Sequence, residues 1–177
     1  MGRDESGKQW DVMKETFAIR VYKEYFNFAS CHFLIFGDGT REPLHGHNYQ
    51  VQVKVEGEVV GGDLVIDFIP FKPMVKGFCD EMDHLTILPE HNPHLEISHR
   101  DGQVEVRHSD GSFFSFPEQD VRILPVPNTS TEMLAKHLTG RIHHGIKERM
   151  TEARVHAIEV QVEESSGQCG ICRFELD

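Results

Sequence analysis

The sequence predicts an α+β fold, a sheet of alternating strands with two amphipathic helices, and three observations carry that prediction. Residues 47–55 place His47, Tyr49, Val51, Val53 and Val55 on one parity and Asn48, Gln50, Gln52 and Lys54 on the other, the pattern of a strand with one buried face. Phe71, Met74, Val75, Phe78 and Met82, and later Leu134, Leu138, Ile142 and Ile146, recur at helical spacing. Ile158, Val160 and Val162 alternate again near the C-terminal end. A chain of 177 residues suits one domain and can bury about two thirds of its unfolded surface without disulfides or a structural metal.

Taken in order, residues 1–15 are polar and mixed in charge and are expected to form an N-terminal arm, with a single domain over 16–177. Phe17, Ile19 and Val21 alternate, then Phe26, Phe28, Ser30 and His32 alternate on the other parity. That change predicts a long strand with a slipped register near Lys23-Glu24. Gly61-Gly62 turns the chain and Leu64-Val65-Ile66 reads as a short strand. The first helix follows, with Pro70 and Pro73 near its start and its end at Asp83-His84. Residues 89–127 are too long for a plain connection and form an insertion. Within it, Val104 and Val106, then Asp110-Gly111, then Phe114 and Phe116 predict a hairpin over about 103–116 with a two-residue turn. Its histidines, His91, His94, His99 and His108, show no common face and are expected at the surface. The second helix begins at Thr129 or Ser130, where Thr129-x-x-Glu132 fits a capping box, while Gly140 and Gly145 weaken it. Strands over 155–164 and 170–176 end the domain.

Charge and cysteine usage exclude several classes. Eighteen basic against 29 acidic side chains leave −11, which argues against nucleic acid or an anionic membrane as the main partner. No apolar run approaches about twenty residues, so a cytoplasmic home is expected. Cys31, Cys79, Cys169 and Cys172 are too few for a disulfide framework and are expected as thiols. Cys169-x-x-Cys172 has no helix after it and no matching second pair, which makes it a poor redox or metal motif.

The chemistry concentrates in histidines. His45 and His47 flank Gly46 at the start of the second strand, so both rings point to one face with nothing bulky between them, and His32 closes the apolar face of the preceding strand. Three imidazoles are what an open catalytic zinc site requires, its fourth position left for water or substrate. Glu164 continues the apolar parity of Ile158, Val160 and Val162. A carboxylate there either binds a ligand or reaches solvent at the strand end.

With those pieces placed, the chain resembles the 6-pyruvoyltetrahydropterin synthase and 6-carboxytetrahydropterin synthase family. The resemblance rests on Phe28-Ala29-Ser30-Cys31-His32-Phe33-Leu34, His45-Gly46-His47-Asn48-Tyr49, Leu64-Val65-Ile66-Asp67-Phe68, Met82-Asp83-His84, Ser130-Thr131-Glu132-Met133-Leu134-Ala135 and Val162-Glu163-Glu164-Ser165. It implies the tunnelling fold (T-fold), an antiparallel sheet with two helices on one face, here with the hairpin inserted. It implies a homohexamer, a dimer of trimers with active sites between subunits. It further implies Zn2+ on His32, His45 and His47, an acid/base pair at Asp83 and His84, and a pterin-ring anchor at Glu164. The partner is then a small-molecule pterin.

One departure stands out. Such enzymes usually carry a catalytic cysteine a few residues before the His-x-His, and residues 37–44 here have none. Cys31 should point away from the zinc-facing side and Cys79 should lie in the core. Glu42 is the natural replacement, because a carboxylate shielded from water is a competent general base, the alternative being a loop glutamate without chemistry. A family branch with glutamate in this region cleaves the side chain to leave a hydroxymethyl group. The expected activity is therefore that of a zinc-dependent lyase acting on 7,8-dihydroneopterin triphosphate or a related reduced pterin by proton abstraction and elimination or C–C cleavage. The alternative is a catalytically inactive oligomer that keeps zinc and pterin binding.

Overall fold

The spine of the molecule is a thirteen-residue strand whose two edges organise the rest. A computed structural model describes residues 15–176, so the arm expected over 1–15 lies outside the described residues except for Glu15. The elements are β1 (Phe17–Val21), β2 (Asn27–His32), β3 (His45–Gly57), α1 (Phe68–Asp80), β4 (Leu85–Pro89), β5 (Leu95–Arg100), β6 (Gln103–His108), β7 (Phe113–Pro117), β8 (Val121–Leu124), α2 (Thr131–Arg149), β9 (Val155–Ser165) and β10 (Gln168–Glu175). The main sheet runs β10-β9-β3-β2-β4-β8, with β1 beside β3; β5-β6-β7 form a second sheet.

Along one edge of β3, β1 and β2 pair antiparallel in two registers. Val21 faces Val53 and Asn27 faces Gln50, so six steps on one strand span three on the other and the excess bulges out at 22–26. The slip expected near Lys23-Glu24 is this bulge. Tyr49, Val51, Val53 and Val55 of β3 and Ile158, Val160 and Val162 of β9 are buried on one face. Both helices cover that face, α1 through Phe71, Met74, Val75 and Cys79 and α2 through Leu134, Leu138, Ile142 and Ile146. The opposite face carries Gln50, Gln52, Lys54 and Glu56 beside Glu159, Gln161 and Arg173, where Arg173 holds Glu56 by two hydrogen bonds of 3.0 and 2.7 Å.

Several local expectations are corrected. Helix α1 starts at Phe68, because Asp67 Oδ1 accepts the Ile69 N–H at 2.8 Å, and stops at Asp80 rather than at Asp83-His84, where His84 takes φ +59°. The strand expected over Leu64–Ile66 reduces to a single bridge between Val60 and Leu64. The cap of α2 is Ser130, whose Oγ accepts the Met133 N–H at 3.4 Å; the Thr129 hydroxyl instead donates to the Phe33 carbonyl at 3.1 Å. The insertion is larger than a hairpin. β5 adds a third strand, the β6–β7 loop is Ser109–Ser112 rather than two residues, and the flanking β4 and β8 join the main sheet by parallel pairing. Phe33, Ile35, Leu88, Val104 and Val106 form a second core under the insertion. His108, expected at the surface, follows Val104 and Val106 on the inward parity of β6 and is buried.

Two glycines in contact with other elements show how close the layers come. A Cβ on Gly145 would meet Met74 Sδ at 2.5 Å, so this glycine of α2 admits α1 rather than ending its own helix. A Cβ on Gly170 of β10 would stand 2.4 Å from the Glu132 backbone nitrogen at the start of α2. Backbone cannot yield as a side chain tip does, so Gly170→Ala should destabilise the fold by about 1–3 kcal/mol, read as a lower urea midpoint. An unchanged midpoint would contradict this packing.

The helices are also joined by Arg141, which donates to both carboxylate oxygens of Glu81 at 2.9 and 2.8 Å and lies over the Phe78 ring at 4.5 Å. Those hydrogen bonds hold the Glu81 carboxyl below the usual glutamate range. The stabilisation is thus complete above the unfolded glutamate pKa and fades as pH falls through it. The pair is two-fifths exposed, so solvent screening limits it to under about 1 kcal/mol. Glu81→Gln should lower stability at pH 7 by that small amount and flatten the acid limb of the stability profile below about pH 4.5, measured by denaturant titration across pH.

Candidate metal and proton-transfer site

At the end of β3 nearest the insertion, the register with β2 sets His32 directly opposite His45 and Ser30 opposite His47. Parity then sends all three imidazoles to the helix-covered face. Their ring centroids lie 4.7 Å (His32 to His45), 5.3 Å (His32 to His47) and 4.9 Å (His45 to His47) apart, and one nitrogen of each falls within 4.8 Å of the others, close enough to share a metal ion. His32 Nδ1–H donates to the Thr129 carbonyl at 3.0 Å and His45 Nδ1–H to the Pro43 carbonyl at 2.9 Å. A carbonyl can only accept, so in the neutral rings Nδ1 carries the proton and Nε2 the lone pair. His32 Nε2 is buried without a protein partner. Burial pushes the His32 imidazole down to about 4, against the Thr129 hydrogen bond that raises it, so the ring is neutral at physiological pH. An orphaned, neutral, buried nitrogen facing two others is a donor set that fits a borderline-soft divalent metal such as zinc.

Two carboxylates flank the triad. Glu42 Oε2 lies 4.0 Å from His45 Nε2 and accepts the Leu34 N–H at 3.3 Å, while the Glu42 N–H donates to the Leu34 carbonyl at 2.9 Å. Glu164, at the end of β9, places Oε2 4.0 Å from His47 Nε2. Beneath the rings, Tyr49 stacks on Phe28 at 4.7 Å and stands edge-on to His32 and His47. Its hydroxyl is buried without a hydrogen-bond partner, and burial, followed by the charges of Glu164 and Glu42, holds its pKa above the usual phenol range, keeping it a donor. From the sequence Tyr49 is expected only in the core; its place two residues beyond His47 on one parity is the signal that it also borders the site.

Asp83 and His84 lie elsewhere in the chain. Asp83 Oδ2 contacts His84 Nδ1 at 2.9 Å, and Asp83 Oδ1 accepts the Ala29 N–H at 2.7 Å, which holds its carboxyl below the usual range. His84 is exposed and lines, with Cys31, Gly46, Asn48 and Asp120, an open cleft of about 450 Å³ on the sheet face opposite the three rings. The structure therefore joins His32, His45, His47, Glu42 and Glu164, and sets the Asp83–His84 pair apart. Cys31 is exposed on the same opposite face, as its parity required; Cys79 is buried, its thiol pushed up to about 12 by burial.

The family model of 6-pyruvoyl tetrahydropterin synthase matches residues 20–175. The chain belongs to the 6-pyruvoyl tetrahydropterin synthase family. Its fold is the family's T-fold: the 6-pyruvoyl tetrahydropterin synthase from Plasmodium vivax superposes with a TM-score of 0.85 at 30% identity, covering 92% of this chain and 100% of that one. Two further structures of the P. vivax protein carry alanine or cysteine in place of a glutamate described as a catalytic residue. A protein of Methanocaldococcus jannaschii named putative 6-carboxy-5,6,7,8-tetrahydropterin synthase is 37% identical over 146 residues, 82% of this chain and 87% of its own length. A dihydroneopterin monophosphate aldolase of Pyrococcus furiosus is 46% identical over 43 residues, 24% of this chain and 37% of its length. This is a chain of a pterin-processing family, and among the described residues no helix is long and apolar enough to cross a membrane.

If the three rings form one site, protein stripped of metal and dialysed against a divalent transition metal should retain one equivalent per chain. His45→Ala should lose it with little change in thermal midpoint, because that side chain is 38% exposed. Full metal content in the variant, by elemental analysis, would refute the triad.

Proposed function

We propose that this chain is a zinc-dependent lyase that transforms the side chain of a reduced pterin, 7,8-dihydroneopterin triphosphate or a close relative, by proton abstraction followed by elimination or C–C cleavage. The observation that carries the proposal is the Glu42 carboxylate set 4.0 Å from a ring of the triad, in a chain whose loop lacks a cysteine. The family model supports the substrate class, and the catalytic glutamate of the P. vivax relative supports a carboxylate in the role. Zinc would be held by His32, His45 and His47, and when bound it would supply Lewis acidity that eases removal of a proton from the pterin side chain.

The chain's own groups divide the remaining work. Glu42 takes the proton; the Leu34 N–H on its Oε2 and its backbone pairing to Leu34 aim the carboxylate at the rim of the triad. Glu164, on the far side of His47, accepts two hydrogen bonds from the ring N–H and amino groups of the pterin and sets its orientation. The stacked Phe28–Tyr49 pair closes the floor and keeps water from beneath the rings. Asp83 orients His84 as a proton carrier on the opposite face, so in this reading the pair serves the site of a neighbouring chain in a dimer of trimers. Edge strands β1 and β10 are the surfaces such an assembly would pair. Four free cysteines and a net charge of −11 suit a reducing, cytoplasmic setting without nucleic acid or membrane partners.

Zinc-loaded protein incubated with 7,8-dihydroneopterin triphosphate should yield a product separable by mass, a pyruvoyl, carboxy or hydroxymethyl pterin naming the branch. Glu42→Gln should slow it by about 10²–10⁴-fold while leaving zinc content intact. A protein that binds the pterin and releases it unchanged is a binder, and that result overturns the enzymatic reading.

A further inference from the structure

We propose that the inserted β5–β7 sheet is a clamp for the Glu42 loop, with Arg41 as the positioning residue that transmits its hold. The inference rests on the reading of Glu42 as the base and adds a reason for the insertion and for the half-buried arginine beside it.

Residues 33–44 connect β2 to β3 and carry Glu42. On the inner side this loop is pinned by backbone: Ile35 bridges Arg41, and Asn128 pairs with both the N–H (3.2 Å) and the carbonyl (2.8 Å) of Ile35. On the outer side, the Glu42 carbonyl accepts from Arg41 Nη1 at 2.9 Å. The same guanidinium reaches into the insertion, where Nη2 donates to Ser112 Oγ at 3.0 Å and Nε lies 3.8 Å from Asp110 Oδ2, both groups of the β6–β7 turn. Its Cζ stands 4.9 Å from the Phe114 ring centroid and 5.8 Å from that of Phe33, and those rings stack at 5.4 Å. The side chain is 20% exposed. Loop and insertion meet a second time at Gly39, which at φ +83° leaves room for the His94 ring: a Cβ there would fall 2.8 Å from His94 Cε1.

An arginine at the surface for solubility alone would extend into water. This one is seated on two aromatic rings and divides its donors between the peptide of Glu42 and the insertion, a geometry that a planar fork can satisfy and an ammonium cannot. The cost of losing it follows from positional sensitivity, since a displacement of about 1 Å at a reacting group lowers rate by about 10²-fold.

Four proteins decide the matter: wild type, Arg41→Ala, Arg41→Lys and Glu42→Gln, each zinc-loaded and assayed for turnover of the reduced pterin, for metal content and for amide hydrogen exchange. Arg41→Ala should lower kcat by about 10- to 100-fold with KM and metal content close to wild type. It should also speed exchange in 36–44 while leaving β3 and β9 protected. Arg41→Lys, which keeps the charge, should recover little of either. A KM that rises while kcat holds would make Arg41 a contact to the substrate, and unchanged kcat would remove its positioning role; either overturns the proposal. Should Glu42→Gln turn over as fast as wild type, it is the base assignment that fails. Exchange then judges the clamp by itself: faster exchange at 36–44 in Arg41→Ala sustains it, and exchange equal to wild type ends it.

Discussion

The antiparallel register of β2 against β3 decides where every polar group of the site points. His32 faces His45 and Ser30 faces His47, and because side chains alternate across a strand, a slip of one residue would carry His32 to the face that now bears Cys31. What holds the register is apolar burial on the same parity. Phe28 and Tyr49 face each other and stack at 4.7 Å, with Val51 and Val53 continuing beneath α1 and α2. Removing such rings from water is worth about 1.5–3 kcal/mol each, roughly twice the net worth of an ordinary hydrogen bond. The hydrophobic core thus places the imidazoles, and the imidazoles do not place the core.

The site sits where that core ends. His32 is the last fully buried side chain of β2, whereas His45 and His47 are only partly covered, so three like groups grade from protein interior to solvent. Backbone carbonyls from two separate segments, Pro43 and Thr129, orient two of the rings, and Thr129 is itself anchored to the Phe33 carbonyl. The loop with Glu42 closes one side and the end of β9 with Glu164 closes the other. The proposed metal ligands, base and ring anchor thus come from four stretches of chain, β2, the Glu42 loop, β3 and β9, held by one sheet, which is how a rigid scaffold keeps reacting groups in place.

The sequence made the triad legible because its signal is local: His45 and His47 are two residues apart on an alternating strand, and His32 ends the apolar phase of the one before. The two helices were legible for the same reason: α2 is capped by Ser130, one of the two starts expected, whereas α1 ends at Asp80, short of the expected Asp83-His84. Parallel pairing of β4 with β2 and β8 was not legible, because it joins segments tens of residues apart and leaves no periodic mark in either. His108 shares the inward parity of Val104 and Val106, yet a histidine on that phase is equally at home at a strand end. Arg41 stands next to Glu42 in the chain, but its role depends on Ser112 and Phe114 about seventy residues away. The cleft at His84 likewise exists only once β2, β3 and β4 lie side by side.

The proposed chemistry depends on three imidazoles meeting one cation and leaving it an open position. X-ray absorption at the zinc edge of zinc-loaded protein reads that directly. Three imidazole nitrogens at about 2.0–2.1 Å with oxygen completing the shell is the result the geometry requires. A sulfur at about 2.3 Å, or a fourth imidazole, would mean that the metal is held elsewhere or has no open position, and would contradict it.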